Sequence, residues 1–157
     1  MEHDDGLLTR SFELAAAARA AGDHPFGALF EAEGEVLAEA KNRVNTDRDI
    51  TAHAETALVR MLESEGLLAH VGDGMLYTSC EPCPMCVGAM FWIGVRRVVF
   101  GLSSARLTEL ATPLGLPTGG FRITAAEIGG AANPPIHFDG PHREEEAAIP
   151  HLGFWIP

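Results

Sequence analysis

Apolar and polar positions change period several times along the 157-residue chain, and each change marks an element. Leu8, Phe12, Ala15 and Ala16 recur at helical spacing, with Arg10, Glu13 and Arg19 elsewhere on the cylinder. This predicts a first helix over Asp5–Ala21, closed by Gly22. Pro25–Ala32 and Glu35–Asn42 read as two strands joined at Glu33-Gly34, a hairpin. Thr51–Glu65 predicts a second helix whose apolar face is Ala54, Ala57, Leu58, Met61 and Leu62, with Gly66 ending it. Met75–Ser79 reads as a short buried strand. Pro82 then opens a third helix to about Ile93, in a first-turn position where its missing N–H costs little. Arg96–Phe100 is a further strand, stopped by Gly101. Beyond it the pattern predicts a short helix over Ala105–Leu110, a turn-rich stretch over Leu114–Gly120 and a strand over Pro135–Asp139. A last helix over Arg143–Ile149 precedes the aromatic end Phe154-Trp155. Strands alternating with helices after an initial hairpin imply an α/β fold, a three-layer α/β/α sandwich on a mixed five-stranded sheet. No linker divides residues 1–157, so one domain is expected.

Composition narrows the partners. Hydrophobic content of 46% with 21% charged residues is a soluble globular balance. The 22 acidic and 11 basic residues give a net charge of −11. That sign is wrong for tracking a phosphate backbone, so nucleic acid is not an expected partner. The start Met1-Glu2-His3-Asp4-Asp5 lacks the features of a signal peptide, and no apolar run approaches ~20 residues. A cytoplasmic location with no membrane partner is the expectation.

The chemistry concentrates in two short segments. Cys80, Cys83 and Cys86 fall within seven residues, a poor disulfide framework and a good thiolate cluster. Cys83 and Cys86 are one helical turn apart, so both sulfurs can face one point. With His53 as third ligand they suit Zn²⁺, which keeps a fourth position open for water in catalytic sites. Glu55 is then left beside that position rather than on the metal. Cys80-Glu81-Pro82-Cys83 is also a C-x-x-C, so Cys80 is an alternative ligand, but it belongs to the preceding strand end. His24, His70, His137, His142 and His151 lack ligand spacing and are expected on the surface or in loops. Glu144-Glu145-Glu146 reads as a solvated helix start, and Glu81 as a support for a helix N-terminus.

His-x-Glu followed by Pro-Cys-x-x-Cys is the known signature of the zinc deaminases. The chain resembles the cytidine-deaminase-like superfamily, and within it the branch of bacterial guanine deaminases and tRNA adenosine deaminases. The resemblance spans about Leu7 to Leu102 and is carried by Pro25-Phe26-Gly27-Ala28, Asn42, Thr51-Ala52-His53-Ala54-Glu55 and the run from Leu76 to Cys86. It implies the fold of that superfamily, a zinc ion on His53, Cys83 and Cys86, and Glu55 as the proton carrier. It also implies that Asn42 and the backbone at Ala54 hold the base and that Phe26 and Trp92 flank the ring. Trp155 in the aromatic C-terminus then covers a small planar ligand, and two copies pair as a homodimer. The expected reaction is hydrolytic deamination of a free aminated nucleobase or nucleoside, a guanine-like purine or a related pyrimidine or triazine. Guanine deaminases of this type usually add an acidic residue after the fourth strand and a C-terminal tyrosine. Here the corresponding segments offer only Glu109, and Phe154-Trp155. Two alternatives remain. A tRNA adenosine deaminase should carry a basic C-terminus, whereas Arg143 is the only basic residue after Arg122. A non-catalytic zinc-stabilised binding domain would have no use for Glu55.

Overall fold

The computed structural model describes residues 1–111 and 120–155. In chain order the elements are α1 (Asp5–Ala20), β1 (Gly27–Ala32), β2 (Glu35–Lys41), α2 (Val44–Asp47), α3 (Ala54–Ser64), α4 (Leu68–Val71) and β3 (Met75–Cys80). They continue with α5 (Pro84–Ile93), β4 (Arg97–Leu102), α6 (Ser104–Ala111), α7 (Ala125–Ala131), β5 (His137–Asp139) and α8 (Glu144–Ala148), followed by a 3-10 turn over Ile149–His151. The strands form one five-stranded mixed sheet in the order β2-β1-β3-β4-β5. β1 is antiparallel to both β2 and β3, while β3, β4 and β5 run parallel.

Adjacent residues on the central strands point to opposite faces, as the pleat requires. Phe30, Leu76 and Val98 enter one core with Leu58 and Leu62 of α3, Val87 and Met90 of α5, and Ala125 of α7. Leu29, Tyr77 and Val99 enter the other with Leu8, Phe12 and Leu14 of α1 and Ala147 of α8. The result is the three-layer α/β/α sandwich expected from the sequence. α1 lies so close to β1 that a Cβ on Gly27 would stand 2.4 Å from Leu14 Cβ and 2.5 Å from the Ser11 carbonyl, which is why that position is glycine.

Several boundaries differ from the sequence expectation, each for a local reason. The second helix starts at Ala54 rather than Thr51, because the Arg43 N–H donates to the Ala52 carbonyl and the Ala52 N–H to the Asp49 carbonyl, in a turn. The third begins at Pro84, with Cys83 in the extended N-cap conformation and the proline at the first helical position. Gly101 does not stop β4, which continues to Leu102 paired with Cys80. The fifth strand is only His137–Asp139, and the last helix gives way to the 3-10 turn after Ala148. The expected turn-rich stretch Leu114–Gly120 lies, apart from Gly120, outside the described residues. α2, α4 and α7 were not anticipated. No described helix is long and apolar enough to cross a membrane.

Candidate metal centre and active site

Two helix N-termini meet at one point beside the sheet. His53 is the N-cap residue of α3, while Cys83 and Cys86 are the N-cap and third residues of α5. An N-cap side chain and the one three residues later lie over the same exposed end of the helix, so the two sulfurs converge. Cys83 Sγ stands 3.6 Å from Cys86 Sγ and 3.6 Å from His53 Nδ1, and Cys86 Sγ is 3.5 Å from His53 Nδ1. A tetrahedral zinc with ordinary bond lengths needs S···S and S···N edges of about 3.8 and about 3.6 Å. Donor types and spacings both fit that ion.

Electrostatics favour the ligand form of Cys83. The hydrogen bond from the Cys86 thiol, reinforced by the His53 imidazole, brings the Cys83 pKa down to about 4. The same bond, with burial, pushes Cys86 far upward. The Cys83 thiolate in turn raises His53. The positive ends of α3 and α5 stabilise negative charge here as well. Cys80 is not part of the cluster. It is a fully buried residue of β3 whose thiol is pushed well up by burial, and it walls the cavity instead.

Glu55, the second residue of α3, is 5% exposed. Its Oε1 accepts a 2.7 Å hydrogen bond from the Thr78 hydroxyl, and its Oε2 lies 3.6 Å from Cys86 Sγ. Burial raises its pKa, partly offset by the Thr78 hydrogen bond. Thr78 is fully buried on β3 and was missed from sequence. The available signal was a pair of hydroxyl residues, Thr78-Ser79, inside a strand buried along its whole length.

His53, Glu55 and Cys83 open on a cavity of about 130 Å³ also lined by Phe26, Cys80, Glu81 and Leu107. Phe26 packs edge-on against His151 at 5.2 Å and lies 6.2 Å from Trp155. Trp155 donates its indole N–H to His151 Nδ1 at 3.1 Å. His151 is therefore not a surface residue as expected from sequence. It is 1% exposed and ties the C-terminal aromatics to the cavity wall. Ala54 is buried at the start of α3, between His53 and Glu55. Asn42 is buried after β2, where its N–H donates to the Phe26 carbonyl and its Oδ1 accepts from the Val44 N–H.

Trp92 is not brought to the cavity. It is 84% exposed and borders a depression with Val59, Leu68, Ala89 and Ile93, because it sits two turns from the ligands on the outer face of α5. Glu81 supports helix starts other than that of its own segment. Its two oxygens accept the N–H groups of Ser104 and Ala125, at the beginnings of α6 and α7. Glu144 holds Ser103 through both its N–H and its hydroxyl, so it is not merely solvated. Glu109 pairs with Arg106 on the surface.

Two cysteines and a histidine that could hold a metal ion, with a buried carboxylate beside them at one face of the sheet, are the donor set of a zinc-binding α/β/α protein. The profile for the cytidine and deoxycytidylate deaminase zinc-binding region matches residues 1–102, and the chain belongs to that family. It is 42% identical over 156 residues to a probable cytosine deaminase of Schizosaccharomyces pombe, covering 98% of this chain and 93% of the relative. It is 41% identical over 110 residues to guanine deaminase of Bacillus subtilis, covering 69% and 70%. A solved structure of guanine deaminase from Nitrosomonas europaea superposes with a TM-score of 0.77 at 26% identity, over 96% of this chain and 84% of that one.

Proposed function

We propose that residues 1–157 form one zinc-dependent domain that hydrolytically deaminates a free aminated nucleobase, with a single-ring base such as cytosine as the preferred substrate. The observation that carries this reading is the His53–Cys83–Cys86 triangle beside the buried Glu55 carboxylate, facing a cavity of about 130 Å³. Its walls, with the Phe26 ring and Leu107 beside the charged groups, suit a small planar ligand. Of the guanine-like purine, pyrimidine and triazine classes that the sequence left open, the 42% identity to a probable cytosine deaminase over 98% of this chain supports the pyrimidine, against 26% identity to a guanine deaminase structure over 96%.

Bound zinc supplies a Lewis acid that brings water towards ionisation at neutral pH. The chain's own residues do the rest. Thr78 fixes one oxygen of Glu55 and leaves Oε2 facing the metal side of the cavity. Glu55 Oε2 takes one proton from the attacking water as its oxygen bonds the amine-bearing carbon, and delivers it to the adjacent ring nitrogen. It then takes the second proton from the hydroxyl now on that carbon and gives it to the amino group, which leaves as ammonia as the C–N bond breaks and the carbonyl forms. Burial favours the protonated carboxyl that this relay passes through. Asn42 and the Ala54 backbone hold polar edges of the base, while Phe26 and Trp155 cover its faces and exclude water. Trp92 is assigned instead to a homodimer surface, supported by its exposure beside Leu68 and Ala89. The protein works in the cytoplasm on a small diffusible substrate.

Net charge of −11 sets the protein's field against phosphorylated ligands. Measured kcat/KM is therefore expected to fall from cytosine to cytidine to CMP, with an anticodon-arm RNA negligible. Efficient inosine formation in that RNA overturns the reading in favour of a tRNA adenosine deaminase. Full metal binding with no turnover of any base favours the non-catalytic binding domain.

A further inference from the structure

Apart from the residues that line the cavity, two imidazoles and a carboxylate from two stretches of chain, the N-terminal segment and residues 139–142, converge. His3 Nδ1 is 3.6 Å from Asp139 Oδ2, and His142 Nε2 is 2.8 Å from Asp139 Oδ1. The two rings lie 4.4 Å apart between centroids, and the three ligand atoms all fall within 4.8 Å of one another. All three side chains are half-buried, at 17%, 24% and 30% exposure for His3, Asp139 and His142. We propose that His3, Asp139 and His142 form a second metal site, taking a borderline divalent cation such as Zn²⁺.

The backbone of each ligand is anchored independently. His3 precedes Asp4, whose side chain caps α1 and whose N–H donates to the Tyr77 hydroxyl at 3.0 Å. Asp139 is the last residue of β5, in register with Val99 of β4. His142 is held by its N–H, shared between the Phe100 and Gly101 carbonyls at 3.1 Å each. The donors are therefore placed before any ion arrives, which lowers the ordering cost of binding.

A further observation points to a metal rather than to hydrogen bonding alone. Asp5 Oδ1 lies 3.3 Å from His3 Nε2, the ring nitrogen turned away from Asp139. A carboxylate at that distance from the far nitrogen favours placing the ring's proton there, which turns the near nitrogen's lone pair towards Asp139 and His142. This is the outer-shell partner that metal-ligating histidines ordinarily have. Two nitrogens and one oxygen suit zinc, nickel or cobalt(II) better than magnesium or calcium, which take oxygen ligands. The adjoining depression, lined by Asp4, Glu31, Glu33 and Asp73 against the single cation Arg97, adds a net negative field that concentrates cations. An ion on Asp139 would displace the Met1 ammonium now 3.9 Å from its Oδ2. The site's consequence is structural. β5 is a three-residue edge strand paired only with β4 among the described residues, and an ion would staple it to the segment leading into α1.

The test is calorimetric titration of Zn²⁺ into untagged full-length protein already carrying one equivalent, with thermal melting alongside. A second one-to-one binding event that raises the melting temperature is expected. His3→Ala and His142→Ala should each weaken that event at least tenfold while retaining the first equivalent. Asp5→Asn, which leaves all three ligands in place, should weaken it several-fold. His70→Ala, an exposed imidazole beside Glu33, should leave it unchanged. Saturation at one equivalent overturns the proposal. So does a second event that survives both the His3 and His142 replacements, and neither result bears on the deaminase reading.

Discussion

His151 gives a sharp test of how the C-terminal segment is packed. The side chain is 1% exposed, Trp155 donates to its Nδ1, and its Nε2 finds no partner among the described residues. Tryptophan's indole nitrogen can only donate, so Nδ1 is the acceptor and the neutral ring carries its proton on Nε2. Burial, with Arg19 nearby, holds the pKa down to about 4. The unfolded chain binds this proton near pH 6.5 and the native chain does not, so stability falls as pH drops from that value towards 4 and levels off below it. Linkage between those two values gives a loss of about 2 kcal/mol between pH 7 and pH 5. The perturbation is His151→Gln, which can still accept from Trp155 but does not titrate. Urea unfolding of zinc-saturated parent and variant across pH 5 to 7 isolates the effect, because carboxylate protonation and zinc loss are common to both. The parent should lose about 2 kcal/mol more than the variant over that range. Parallel stability curves would refute a buried, neutral His151.

Other changes address the site directly. Glu55→Gln keeps the hydrogen-bonding shape but cannot carry a proton, so kcat should fall by roughly 10²- to 10⁴-fold with zinc content unchanged by metal analysis. Cys83→Ala should lose tightly held metal while Cys80→Ala keeps it, read by absorption of the cobalt-substituted protein. The reverse result would move the ligand to β3. Trp155→Ala should raise KM for the free base more than it lowers kcat and leave zinc in place. Equal loss of stability and activity would make the indole a packing residue only.

The sheet and the convergence of His53, Cys83 and Cys86 were legible because their signals are short-range. Two strand-like runs on either side of Glu33-Gly34 set the hairpin, and a one-turn cysteine spacing behind a proline brings Cys83 and Cys86 together. What escaped depends on partners distant in sequence. Thr78 becomes an orienting group only because β3 passes beneath α3, 23 residues away. Glu81 looked like a cap for its own helix, yet the chain returns twice, at Ser104 and Ala125, to use its oxygens. The resemblance implied that Trp92 flanks the ring, but helical rotation points it outward. α7 did announce itself locally. Thr124 and Glu127 form a reciprocal capping box, and that Thr-x-x-Glu pattern stood unread ahead of a short Ala- and Gly-rich stretch with too little periodicity to mark a helix.

The most direct measurement is ammonia release by the zinc-loaded protein from a panel of cytosine, guanine and an aminated triazine, with zinc-free protein and Glu55→Gln run in parallel. The account predicts rapid release from a free base, cytosine foremost, that disappears in both controls. Release that persists without zinc or without the Glu55 carboxylate, or none from any base, would contradict it.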